Sequence, residues 1–182
     1  MALEFSTSHL SDSISLLRYY KNLGERALAQ VADDQLFYAQ DEECNSIAII
    51  VKHLAGNMRS RWTDFLTADG EKPSRNRDSE FEDPPRDRKE LMRTWEEGWT
   101  CLLKALESLN DSDLSQRVLI RGEAHSVMQA INRQLCHYAY HVGQIVLVAK
   151  HRRKGDWISL SVPRGKSAEF NQRVLSRELS QR

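Results

Sequence analysis

"QLCHYAYHVGQIV", residues 134–146, sets two histidines, His137 and His141, four residues apart in an otherwise apolar run. Whether that run is a helix decides the fold. Across residues 127–152, Val127, Ile131, Leu135, Tyr138, Val142, Ile145 and Ala149 recur at steps of three and four, which is the period of a helix with one buried stripe. Ser126 with Gln129 three residues on has the form of a capping box, so the spacing predicts a long helix starting there. At about 100° per residue, His137 and His141 fall together to one side of the apolar stripe.

Outward from this helix, three other segments have the same period. Residues 8–32 carry Leu10, Ile14, Leu17, Leu28 and Val31; residues 46–67 carry Ile47, Ile50, Leu54, Met58, Trp62 and Phe65. Residues 87–109 carry Leu91, Trp95, Trp99, Leu102, Leu103 and Leu106. Four amphipathic helices in one domain predict an all-α fold, an antiparallel four-helix bundle. "RVLI" followed by Arg121-Gly122-Glu123 predicts a short extended or hairpin segment near 117–124. The link 68–87 is long and charged and holds Pro73, Pro84 and Pro85, a length that suits a functional or mobile loop. After Gly155 the chain reads as a C-terminal extension, 155–182, extended through "DWISLSVPRG" and ending in a short helix.

The chain has 182 residues, 40% hydrophobic and 29% charged, which suits a single domain over 1–182. Lys plus Arg equals Asp plus Glu, so no nucleic-acid partner is expected, because phosphate binding needs a basic excess. No apolar run reaches the roughly 18–20 residues of a membrane span. "MALEFSTSHLSDS" lacks a basic start and a long apolar stretch, so neither a signal peptide nor a membrane partner is expected and a cytoplasmic location is. Three cysteines without CxxC spacing, Cys44, Cys101 and Cys136, read as reduced thiols, with Cys136 packed in the core. "PRGKS", 163–167, is no phosphate loop, since Leu160 stands where its first Gly would be.

A His-x-x-x-His pair can hold one metal ion, but by itself it reads equally as one core histidine bonded to a carbonyl and one surface histidine. Tyr138 follows His137 where a metalloprotease helix would carry Glu. His53 changes the balance. It lies in "AIIVKHLAGN", the most apolar stretch, where an unpartnered polar group would cost about 1–3 kcal/mol. Three imidazoles from two helices would hold a divalent cation and leave a position open. His9, His125 and His151 read as surface or capping residues. Arg133, one turn before His137, together with Gln144 and Asn57, could bind an anionic small-molecule substrate or orient the ligands from behind. The rival for Arg133 is an ion pair with Glu123. Tyr138, Trp62, Trp95 and Trp99 read as core.

"NSIAIIVKHLAGN", with His53, and "NRQLCHYAYHVGQ", with His137 and His141, resemble the DinB-like (YfiT-like) superfamily of metalloenzymes. "SRWTDFLTADGEK", "IRGEAHSVMQAINRQ" and "SLSVPRGKSAEFN" look like a bacterial subfamily labelled only as a domain of unknown function. The resemblance implies an up-down-down-up bundle and one divalent metal, zinc or nickel, on His53, His137 and His141. It also implies a low-molecular-weight thiol as co-substrate, because relatives include bacillithiol S-transferases and a mycothiol-dependent maleylpyruvate isomerase. A metal-dependent thiol transferase is therefore the leading reading. A metal-dependent hydrolase is the second, with Glu43 or Asp64 approaching as general base; a non-catalytic metal-binding or dimerisation module is the third. Four Trp, wide apolar helix faces and the relatives' habit together predict a homodimer.

Overall fold

Each of the four long helices starts where a short polar side chain takes an otherwise unpaired backbone N–H. The computed structural model describes residues 7–179. Ser8 caps α1 (His9–Leu28), accepting from the N–H of Ser11. Ser46 caps α2 (Ile47–Trp62) and Asp87 caps α3 (Arg88–Glu107) in the same way. The hairpin β1 (Arg117–Ile120) and β2 (Glu123–Ser126) pairs antiparallel, with Val118 opposite His125. It turns at Arg121 and Gly122, both at positive φ. The Ser126 box forms as the spacing predicts: Ser126 N–H donates to Gln129 Oε1 at 2.8 Å, and Gln129 N–H donates to Ser126 Oγ at 3.1 Å. It opens α4 (Val127–Arg153), and α5 (Ser167–Leu175) lies in the C-terminal extension. Residues 1–6 of the N-terminal reading and the last three residues of the extension lie outside the described residues.

Two predicted helices end early. The first was expected to run to 32 but stops at Leu28, whose carbonyl accepts from Arg88 Nη1 at 3.1 Å. The second, expected to run to 67, stops at Trp62; Asp64 turns to φ 48°, and Phe65 folds back onto the Trp62 ring at 4.6 Å. Between Asp156 and α5, where the chain was expected to be extended, residues 157–166 form no strand, only bends and a turn.

The helices pack through the stripes read from sequence. α2 lies against α3 so closely that a Cβ on Gly98 would stand 2.8 Å from the Cα of Ala55. Met58 and Cys101 meet further along the same two helices, so α2 and α3 run in the same direction. Arg18 pairs with Glu107, while Arg88 reaches Leu28, so α1 runs opposite to α3. Trp95, Trp99, Tyr138, Leu54 and Met58 are fully buried between them. Among the described residues no helix is long and apolar enough to cross a membrane.

The hairpin is held to the 68–87 loop by Asp69. Its carboxylate accepts from the N–H groups of Arg121 (2.8 Å), Gly122 (2.7 Å) and Glu71 (2.7 Å). The backbone bonds from Glu71 and Gly122 hold the Asp69 carboxyl below its ordinary value. Asp69→Ala is expected to cost about 1–2 kcal/mol, discounted for solvent screening. The contribution of a depressed carboxyl is complete above its unfolded pKa and lost as pH falls through the folded one. The gap in melting temperature between the two proteins should therefore close below about pH 4. A gap that persists unchanged in acid would show that the charge is not what clamps the hairpin.

Candidate metal centre

His53 on α2 and His137 and His141 on α4 point into one space, and one ring nitrogen of each lies within 4.8 Å of the others. His141 Nε2 is 3.1 Å from His137 Nε2, and His53 Nε2 is 3.4 Å from the same atom. Tetrahedral coordination with bonds of 2.0–2.1 Å sets its ligands about 3.3 Å apart, so these two spacings suit one ion. The four-residue step on α4 sets the first of them, and the packing of α2 against α4 sets the second.

Groups behind the rings fix which nitrogen faces in. His53 Nδ1 lies 2.9 Å from Glu80 Oε2, and His141 Nδ1 lies 2.7 Å from Gln144 Oε1. Both oxygens can only accept, so each Nδ1 carries the proton and each Nε2 turns a lone pair inward. Gln144 is itself oriented by donating its NH2 to Tyr140 at 3.1 Å. His53 and His141 thus each present an Nε2 lone pair to the space that His137 Nε2 also meets, a donor set that fits a divalent metal. His137 differs, since its Nδ1 is buried without a partner.

Two of the imidazoles, His137 and His141, are held towards the neutral form a metal needs. Burial pushes His137 down to about 3, aided by His141, His53 and the charges of Arg61 and Arg75. Burial also lowers His141, against the opposing bond from Gln144. Glu80 comes from the 3₁₀ turn Asp78–Phe81. Burial would raise its carboxyl, but the His53 bond and Arg75 hold it below the ordinary range. Arg75 grips it with two parallel bonds, Nε to Oε1 at 2.7 Å and Nη2 to Oε2 at 2.9 Å. Gly56 makes this possible: a Cβ there would stand 2.5 Å from Glu80 Oε1. Phe81, from the same turn, stacks on the His53 ring at 4.7 Å.

The histidines open onto a cavity of about 630 Å³ that Asn57, Arg133 and Gln144 also line. Asn57 is buried and accepts from the Tyr138 hydroxyl at 3.0 Å, and that hydroxyl accepts from Trp62 Nε1 at 2.9 Å. Arg133 is exposed and pairs with no carboxylate among the described residues, Glu123 included. Cys136 corrects the core reading: it is exposed and lines the cavity, because its 100° step from His137 leads towards solvent. Glu43 and Asp64 line other cavities. His125 and His151 stand away from the site, and His9 is half-buried with Nε2 unpartnered rather than on the surface. Sequence reasoning missed Glu80 and Arg75. The only signal was Gly56, a glycine one turn beyond a buried histidine in a helix interior.

Replacing His53, His137 or His141 by Ala should abolish stoichiometric binding of a divalent ion, while His151→Ala should leave it intact. Glu80→Gln should weaken the metal by about 10–100-fold, the usual effect of losing a carboxylate behind a ligating histidine. Competition with a chromophoric chelator measures both. Unaltered affinity in Glu80→Gln would remove Glu80 from the site's support.

No match to a curated protein or to a solved structure was found. One family model, described as "Protein of unknown function (DUF1572)", matches residues 4–166. With nearly the whole chain matched, the protein belongs to the DUF1572 family.

Proposed function

We propose that this protein is a divalent-metal-dependent transferase that uses a low-molecular-weight thiol, built on an antiparallel four-helix bundle of the DinB/YfiT type. The supporting observation is a three-histidine centre that opens onto a cavity lined by no carboxylate among the described residues. Many metal-dependent hydrolases place a carboxylate beside the metal-bound water as general base. Glu80 lies behind His53 and is engaged by Arg75. A thiol transferase needs no such base. When bound, the metal, zinc or nickel, would supply the positive charge that lowers the pKa of a thiol at its open position.

This chain's own residues supply the rest. His53, His137 and His141 hold the ion, while Glu80 and Gln144 fix two of the rings. Arg133 and Asn57 bind the small-molecule partner. The bundle reading is supported by the parallel course of α2 and α3 and the opposite course of α1. The resemblance carried by the two histidine motifs points the same way. The proposed homodimer would use the outer face of α4, where Tyr140 and Leu147 are 62% and 69% exposed.

Two measurements test this. An electrophile such as monochlorobimane should be consumed only when both metal and added thiol are present, and His137→Ala should abolish the reaction. Consumption of an ester without thiol would instead support the hydrolase, and metal binding with no turnover in either assay the binding module. Sedimentation equilibrium should give about twice the chain's 21.0 kDa, and a monomer alone would refute the dimer.

A further inference from the structure

We propose that the cavity in front of the histidines takes a small molecule bearing an oxyanionic group, a carboxylate or a phosphate. Arg77 and Arg133 clasp it from two sides, and the amides of Asn57 and Gln134 contact it from beneath. The inference names the substrate class of the proposed metal site and rests on that reading only for what the metal does.

The charge around the cavity is one-sided. Arg61, Arg75, Arg77, Arg121 and Arg133 line it, and among the described residues no Asp or Glu does. Three of these arginines are compensated from behind: Arg61, Arg75 and Arg121 all reach Glu71, and Arg75 also grips Glu80. Arg77 and Arg133 have no ion pair among the described residues. Arg77 lies over the Phe81 ring, 5.1 Å from its centre, a contact that leaves its N–H groups free. Arg133 stands one turn before His137 on α4. The two guanidinium groups thus come from separate elements and line one cavity with the histidines, and both are shaped to meet an oxyanion bidentately.

The buried amides have matching polarity. Tyr138 receives a hydrogen bond from Trp62, so its own hydroxyl proton must go to Asn57 Oδ1. That turns the Asn57 oxygen towards Tyr138 and leaves its NH2 for the cavity it lines. Gln134 is 3% exposed, and its Oε1 is buried without a partner, so its donor end is the one the cavity meets. Arg61 Nε is also buried and unpartnered. Two arginines without an ion pair, beside amide donors, suit an anionic ligand, and a cation on the histidines would add to the same field.

The test titrates metal-free and zinc-loaded protein with inorganic phosphate, succinate and the neutral twin succinamide, by calorimetry at low ionic strength. Phosphate or succinate should bind one per chain, at least about tenfold more tightly than succinamide, the scale of one charge-assisted bond. Which of the two binds better separates a phosphoryl from a carboxylate ligand. The double variant Arg77→Met, Arg133→Met should lose that preference with its melting temperature and zinc stoichiometry unchanged. Should the variant not fold, the wild type still decides: moving from about 20 to about 200 mM salt should weaken the anion and leave succinamide unaltered. Equal affinity for succinate and succinamide, or an unchanged preference in a folded double variant, overturns the proposal. Anion binding by metal-free protein needs neither metal nor thiol, so its failure is distinguishable from failure of the transferase reading.

Discussion

The Glu80 carboxylate, buried between Arg75 and His53, is the contact on which the rest of the site depends. A buried ion pair adds little net stability when intact, yet removing one partner costs about 3–5 kcal/mol. Stability alone therefore does not explain why a loop carboxylate is driven into the space beside α2. Orientation does. The pair fixes the proton of His53 on Nδ1 and turns Nε2 toward His137 and His141. Gly56 is the matching requirement on the helix, since any side chain there would occupy the carboxylate's place.

That contact extends outward through the charged loop. Arg75 also meets Glu71, Glu71 meets Arg61 and Arg121, and Asp69 takes the backbone N–H groups of the hairpin turn. The 68–87 loop is therefore ordered by charge rather than by apolar burial, and it connects the hairpin to the back of a histidine. The same arrangement directs its carboxylates away from the cavity and leaves arginines on the cavity wall. The three histidines thus face a cavity lined by arginines, with Glu80 behind them.

Much of this was legible in the sequence because it is periodic or local. Helical period placed His137 and His141 together, and the apolar run around His53 marked a histidine that needed a reason to be buried. The Ser126 box and the Arg121-Gly122 turn are short-range chemistry, and both form as read. Glu80 was not legible because it is one acidic residue among several in 68–87, and nothing local distinguishes the one that reaches α2. The ends of α1 and α2 were misplaced because Arg88 and Phe65 act there through tertiary contacts. Cys136 was misassigned because the apolar arc of α4 is narrower than its composition suggests, leaving the thiol exposed.

The central claim is that three inward-facing imidazoles form one metal site. X-ray absorption on protein purified without a histidine tag and loaded with one equivalent of zinc addresses it most directly. The account predicts three imidazole nitrogens at about 2.0–2.1 Å and a remaining light-atom ligand that a small thiol replaces with sulfur at about 2.3 Å. A spectrum with fewer than three imidazoles, or with protein cysteine sulfur before any thiol is added, would contradict it.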